Sequence, residues 1–261
     1  PRGKCMTMNL VSFWDGKVTW LERLSVASIL SAGHSLEIFT NDTRTLRKEF
    51  DCRVSDVREV INENAIAIFY RTKKNFAFYA DLVRLELLAQ NRGVWSDLDC
   101  IFLKPLLLDN PYIFGKCSKN RVNNAVLALP KDSPLFKEYH NAVNTLPIRA
   151  PWATRHVRIK RNLEILLGID IPMNPNKLSI GPRALTYFIN KNKMLPYAQP
   201  EGVFYPISQG DYHLLVKTDD RDANAKITEE TISIHAWRSN WMSPEISVPP
   251  PSFGSLLGTL V

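Results

Sequence analysis

No run of apolar residues approaches the roughly 20 that a membrane-spanning helix needs, since the best candidate, Ile101 to Leu108, is broken by Lys104 and Pro105. A soluble chain is the expectation. Cysteine is scarce as well. The four in 261 residues (Cys5, Cys52, Cys100 and Cys117) form no Cys-x-x-Cys pair and no Cys/His grouping at zinc-finger spacing. That excludes a disulfide scaffold and a zinc finger, and it predicts reduced, mostly buried thiols in a cytoplasmic setting. Internal repeats are missing, and Pro249 to Pro251 is the only compositionally biased stretch. The N-terminal PRGKCMTMNL is basic but lacks the apolar core of a signal peptide. It starts at Pro1 and not at Met, which fits a trimmed chain or a tag remnant and leaves an upstream anchor open. The lone sequon Asn41-Asp42-Thr43 is short enough to arise by chance.

What is present is an ordinary globular composition, 45% hydrophobic and 23% charged, in a chain long enough to bury a sizeable core. The 33 basic against 26 acidic side chains give a net charge of +7 and a pI near 9.2. An anionic partner is implied: a phosphate-bearing substrate, an anionic lipid surface or a nucleic acid.

Strand and helix signals alternate. Met6 to Trp14 has the residue types of a buried strand, and Asp15-Gly16 is a turn. Trp20, Leu21, Leu24, Ala27, Ser28 and Leu30 recur at helical spacing, with Gly33 placed to end that helix. Leu36 to Thr40 predicts a second strand. Asn41 to Asn64 is polar and irregular or partly helical, and Ala65 to Tyr70 is a short apolar segment. From Asn75 to Arg92, the residues Phe76, Tyr79, Ala80, Val83, Leu87 and Leu88 make one helical stripe that Gly93 terminates. Val94 to Ser96 begins a strand that runs into Asp97-Leu98-Asp99. Later signals are weaker: a strand at Val126 to Leu129, a helix at Ser133 to Val143 and a strand at Ile232 to Trp237. The pattern predicts an α/β fold with a mostly parallel sheet, whose ligands bind beyond the carboxyl ends of the strands.

Asp97 and Asp99 lie at such an end. In a strict strand they point to opposite faces, but where the chain turns both can approach one divalent ion. A second Asp-x-Asp, Asp220-Arg221-Asp222, has no strand before it. The first copy also sits in a longer context, FAFYADLVRLELLAQNRGVWSDLDCIFLKPL, residues 76 to 106. There the sequence resembles the DXD sugar-transferase family, glycosyltransferase family 32, related in fold to large clostridial glucosylating toxins and other retaining GT-A enzymes. Asp81, Arg84, Gly93, Asp97 and Asp99 match in register. Met8 to Trp14 with Gly33-His34, Asn123-Asn124-Ala125, Lys131-Asp132-Ser133-Pro134, Ser179-Ile180-Gly181-Pro182 and Ile234-His235-Ala236-Trp237 with Trp241 extend the likeness over most of the chain. Ser96 and Cys100 depart from it, standing where aromatic and aliphatic residues are commoner.

The resemblance implies a GT-A, Rossmann-like nucleotide-diphospho-sugar transferase fold spanning 1–261. Residues 1–110 would be the nucleotide-sugar and metal-binding half, 111–245 the acceptor-side half and 246–261 a tail. It implies a retaining transfer of a hexose from a UDP- or GDP-sugar to a glycan or lipid-linked glycan, in surface polysaccharide or lipopolysaccharide synthesis. Departure of a diphosphate needs charge neutralisation, which suits Mn²⁺ or Mg²⁺. By the resemblance Asp99 and His235 are metal ligands, where a lone histidine between apolar strand residues is by itself a satisfied core residue, and Asp97 contacts the metal or the ribose. Asp81 and Arg84 bind the donor, where the bare spacing gives only a salt bridge within a helix. Asn123 and Asn124, by themselves a turn, reach the donor sugar, and Gly181-Pro182 shapes the cleft floor. Trp14 stacks on the base, with core packing as its plainer role, and Trp241 joins the donor site. With no carboxylate clearly placed as a nucleophile, a front-face mechanism is expected; Asp211 and Glu201 are further candidates near the cleft.

The basic run Arg155 to Arg161, with Arg71, Lys73 and Lys74, is either a solvated face or a peripheral contact with an anionic inner-membrane surface. A Golgi lumenal enzyme is the alternative location. Two rival functions fare worse. A nucleotidyltransferase wants a glycine-rich phosphate loop, and Trp14-Asp15-Gly16-Lys17 offers one glycine. A nucleic-acid-binding module wants a helix-turn-helix, OB or aromatic RNA-binding motif, and none is present, so no nucleic-acid partner is expected.

Overall fold

The strand Asn9–Phe13 (β1) is buried at every position after the first, the pattern of a central parallel strand covered on both faces. The computed structural model describes residues 8–71, 75–168, 179–217, 219–241 and 255–260. Met6, Cys5, Lys73, Lys74 and Pro249 to Pro251 lie outside them.

After β1 the chain forms the helix α1 (Trp20–Ser31) and the strand β2 (Ser35–Thr40), which pairs parallel to β1 with Asn9 opposite Ser35. Thr19 caps α1 reciprocally with Glu22, satisfying backbone N–H groups that a helix start leaves unpaired. The helix ends at Ala32, and Gly33 takes the left-handed conformation (φ 82°) expected there. Its buried face differs from the expected stripe: Leu21, Glu22, Ser25, Val26 and Ile29 are inside, whereas Ala27 and Leu30 face solvent.

The polar stretch that follows holds the short helix α2 (Thr43–Leu46) and the strand β3 (Arg53–Asp56), which the sequence pattern did not signal. β3 is an edge strand, paired only with β2, so one side of it needs no apolar neighbour. The apolar segment from Ala65 belongs to the helix α3 (Glu63–Arg71). The helix α4 (Phe76–Ala89), capped by the Asn75 side chain, is buried at Phe78, Tyr79, Leu82, Val83 and Leu85 to Leu88, on more sides than one stripe; Phe76 is exposed. Asn91, at φ 54°, supplies the left-handed residue after α4. Gly93 serves a different need. A Cβ there would sit 2.4 Å from the Asn9 carbonyl oxygen, so only glycine lets β1 and the next strand start side by side.

That next strand, β4 (Val94–Ser96), continues the sheet parallel to β1, and β5 (Cys100–Phe102) follows it. The hairpin β6 (Ile113–Ser118) and β7 (Arg121–Ala128) completes a six-stranded sheet of order β3-β2-β1-β4-β7-β6, in which β7 runs antiparallel to β4. The helices α5 (Pro134–Asn144, capped by Ser133), α6 (Arg155–Leu166) and α7 (Pro182–Lys191) lie beyond it in sequence. The late strand β8 (Ser233–His235) pairs antiparallel with β5 in a separate two-stranded sheet.

Alternation along the strands sends Val11, Phe13 and Phe39 into one apolar cluster, with α4, α5 and α7, and Leu10, Leu36 and Ile38 into another, with α1, β5 and β8. Leu256 and Leu257, within the stretch expected to be a tail, are buried in the second cluster. Of the described cysteines, all free, Cys100 is buried and Cys52 and Cys117 are half-buried. No described helix is long and apolar enough to cross a membrane.

Candidate active site

At the carboxyl end of β4 the chain leaves the sheet in a tight turn, closed by a hydrogen bond from the Cys100 amide to the Asp97 carbonyl at 3.1 Å. The turn cancels the strand alternation that would have parted Asp97 from Asp99, and both line one cleft of about 1140 Å³. A space of that size exceeds the roughly 300–1,000 Å³ of common small-molecule pockets. Asp81, Arg84, Trp95, Asn123, Asn124, Pro182, His235, Trp14 and Arg238 line it too, drawn from both halves of the chain. The Asn123-Asn124 pair lies within β7, which rules out the turn reading.

Two charged clusters face this cleft. In the first, the buried Arg84 uses both arms of its guanidinium. One arm binds Asp81, a helical turn away, and the other donates to Asp97 Oδ1 at 2.7 Å. The guanidinium also lies 4.4 Å from the centre of the Trp95 ring, whose Nε1 donates to the same Asp97 oxygen at 2.6 Å. Burial opposes the charge of Arg84, but Asp97 and Asp81 outweigh it and raise its pKa. Burial pushes the Asp81 carboxyl up, and Arg84 and Asn124, whose amide donates at 2.9 Å, only partly pull it back. Gly181 stands behind Asp81: a Cβ there would meet its Oδ2 at 2.5 Å. The missing side chain brings the N-terminus of α7, with its partial positive charge, up to the carboxylate.

The second cluster is built around Asp99. Its Oδ1 lies 3.1 Å from His235 Nε2 and its Oδ2 accepts from the Arg238 amide at 2.9 Å. The β5–β8 ladder sets this up by placing Cys100 opposite His235, and the Ala236 amide binds the Asp99 carbonyl at 2.8 Å. Trp237 then adopts a left-handed backbone (φ 53°), rare for a bulky residue, and so turns the next amide back towards Asp99. Its ring holds the turn, with Nε1 bonded to the Ile207 carbonyl at 2.8 Å and a centroid 4.2 Å from that of His235. Burial raises the Asp99 pKa and depresses that of His235, yet their mutual attraction prevails: Asp99 ends below its usual range and His235 above.

Asp99, Cys100 and His235 carry ligand atoms within 4.8 Å of one another, the group of this kind found among the described residues. Asp97 lies outside it, its Oδ1 already engaged. Burial raises the Cys100 thiol well above its ordinary value, so it stays protonated, and the donor set reduces to a carboxylate and an imidazole. The buried His235 Nδ1 has no hydrogen-bond partner. A carboxylate beside an under-satisfied imidazole is compatible with a divalent cation.

Trp14 lines the cleft with its Nε1 tied to the Gly16 carbonyl at 2.9 Å and the Arg238 guanidinium 5.0 Å from its ring centre. Trp241 does not line it. That ring packs against Trp20 at 5.8 Å, and its Nε1 bonds the Ala236 carbonyl. Asp211 and Glu201 are also outside the lining; Asp211 is held by Ser208 and Lys226. The second Asp-x-Asp is a surface feature, with Asp222 paired to Lys217 and Arg221 to Asp219. Sequence reasoning passed over Trp95, Arg238 and Glu22. Only Glu22 carried a local signal, the Thr19-x-x-Glu22 capping box.

No family model matches the chain. An uncharacterized protein of Arabidopsis thaliana, At4g19900, is 26% identical over 175 residues, which is 65% of this chain and 25% of that protein, so the match spans a quarter of that protein's length. Among solved structures, the PaToxG glycosyltransferase aligns with a TM-score of 0.50 and 17% identity over 73% of this chain and 70% of its own. The likeness is one of fold. The chain has an α/β fold of the GT-A type, a mostly parallel central sheet flanked by helices.

Proposed function

We propose that the protein is a divalent-cation-dependent, retaining glycosyltransferase that moves a hexose from a UDP- or GDP-sugar to a glycan or lipid-linked glycan, in the synthesis of surface polysaccharide. The observation that carries this reading is the Asp97–Asp99 turn at the end of β4, with His235 facing Asp99, inside a cleft large enough for a nucleotide sugar. The fold shared with a glycosyltransferase supports it.

In this reading residues 1–110 contribute the donor and metal half and 111–245 the acceptor side. Asp99 and His235 hold Mn²⁺ or Mg²⁺, which when bound neutralises the diphosphate that leaves as the glycosidic bond breaks. Arg84, fixed by Asp81 and Asp97, presents a buried positive charge to the sugar and phosphate, and being already ordered it needs no reorganisation during the reaction. Asp81 and Asn124 meet the sugar hydroxyls. Trp14 offers a ring to the base, with the Arg238 guanidinium 5.0 Å from its centre. Each lining carboxylate already has a partner: Asp15 accepts from Asn41, Asp81 and Asp97 face Arg84, and Asp99 faces His235. None stands free as a nucleophile, which favours attack of the acceptor on the face the phosphate leaves, with the phosphate taking the acceptor proton.

Calorimetric titration with UDP and GDP, with and without Mn²⁺, tests the donor half. One nucleotide should bind only with the cation, and Asp99→Ala should abolish that cation-dependent binding. Equal binding of both nucleotides without the cation would overturn the reading.

A further inference from the structure

The helix α6 carries its apolar stripe on the outside. Ile159, Leu163 and Leu166, spaced i, i+4 and i+7 and therefore on one face, are 49%, 52% and 80% exposed, and Leu167 just past the helix is 68% exposed. The opposite face attaches the helix to the protein. Val157 packs on the first core cluster, and the buried Arg161 donates from Nε to the Ile148 carbonyl at 3.2 Å and reaches Glu164 at 3.5 Å. This reverses the usual surface helix, whose apolar stripe faces the core.

Charge says what covers the stripe. Arg155 is exposed at the N-terminal end of the stripe, and Arg158 and Lys160 are exposed on its flanks. The one acidic residue of the helix, Glu164, is half-buried between Lys160 and Arg161. A leucine and isoleucine strip between long basic side chains matches the boundary between headgroups and acyl chains of an anionic bilayer, where the strip enters the apolar layer and the cations reach lipid phosphates. A second copy of this chain would bring the same cations face to face, with a net charge of +7 on each molecule opposing the approach.

We infer that α6 is a membrane-docking helix that holds the protein on a surface of anionic phospholipid. This stands on the chemistry of the helix and not on the transferase reading, because none of its residues lines the cleft.

The test is co-sedimentation of the full chain with vesicles of phosphatidylcholine alone and of phosphatidylcholine mixed with phosphatidylserine. The wild type should pellet with the mixed vesicles and stay in solution with the neutral ones. Leu163→Glu/Leu166→Glu should weaken the partitioning at least about tenfold. Arg155→Glu/Arg158→Glu, which leaves the stripe intact, should weaken it comparably and make it insensitive to salt. Both variants should keep the wild-type melting temperature. Wild type that ignores both vesicles, or variants that bind as well as wild type, would overturn the inference. So would a dimer in light scattering that Leu163→Glu/Leu166→Glu dissociates, which would assign the face to a second copy.

Discussion

Glu22 and Arg238 stand 216 positions apart in the chain and meet at 2.7 Å, Oε1 accepting from the guanidinium Nε. The other oxygen of Glu22 accepts from the Thr19 amide and hydroxyl, each at 2.6 Å, and the side chain is fully buried. One carboxylate therefore caps α1 and anchors the segment whose next amide contact reaches Asp99. Glu22→Ala removes both and leaves Arg238 without its partner. The expected cost is about 3 kcal/mol, or a fall in melting temperature of roughly 6–12 °C for a chain of this size. Glu22→Gln keeps an acceptor for Thr19 and should lose less, with a raised donor KM as its main effect. Differential scanning calorimetry and donor kinetics on the two variants check this.

Arg84 grips two carboxylates at once through a planar fork, which lysine lacks. Arg84→Lys should fold but release either Asp81 or Asp97, lowering kcat/KM by about 10²-fold, the scale of a misplaced catalytic constellation. Steady-state kinetics with melting temperature as control separates this from a folding defect.

Gly181→Ala should act through Asp81. Its new methyl meets the carboxylate at 2.5 Å and either displaces that side chain from Arg84 and Asn124 or shifts α7. The expected penalty is about 1–3 kcal/mol, with activity falling further than stability. A crystal structure of the variant should show either the Asp81 side chain or the start of α7 displaced, and a structure in which neither has moved contradicts the account.

His34 gives the fold a pH dependence away from the cleft. It is buried, and its Nε2 accepts the Leu106 amide at 2.8 Å, which only an unprotonated nitrogen can do. Burial holds its pKa below the ordinary value. The unfolded chain then takes up the proton more readily than the folded one. The contribution is complete above the unfolded histidine pKa of about 6.5 and declines as the pH falls below it. Melting temperatures from pH 8 to 5, in wild type and His34→Gln, should show a shallower acid decline in the variant. His235 has the opposite shift and is common to both proteins, so it cancels in the comparison.

Several elements were legible: β1, β2, α4 and the strand that leads into Asp97 follow from apolar runs and turn residues, although α4 buries more than the expected stripe and leaves Phe76 exposed. The buried phase of α1 was not, because Glu22 and Ser25 sit inside it. Ser25 holds the Cys100 carbonyl at 2.7 Å as Glu22 holds Arg238, so two inward positions serve the site and not the core. The edge strand β3 reads Arg-Val-Ser-Asp and has no apolar run to announce it. In the candidate site, Asp81, Arg84, Asp97, Asp99 and His235 came from a resemblance whose motifs are short and ordered. Arg238 lies just past the quoted motifs, and Trp95 lies within the quoted stretch without a role of its own; their contacts exist only once β8 lies beside β5 and α4 against β4. Trp241 shows the converse, a residue within a suggestive motif whose ring turns away to Trp20.

The most direct measurement of the central claim is hydrolysis of a panel of UDP- and GDP-hexoses by wild type and Asp99→Ala, with and without Mn²⁺. The account predicts turnover of one donor, dependent on the cation and reduced in Asp99→Ala by about 10²-fold or more. Turnover that is indifferent to the cation and to Asp99, or no turnover of any donor, would contradict it.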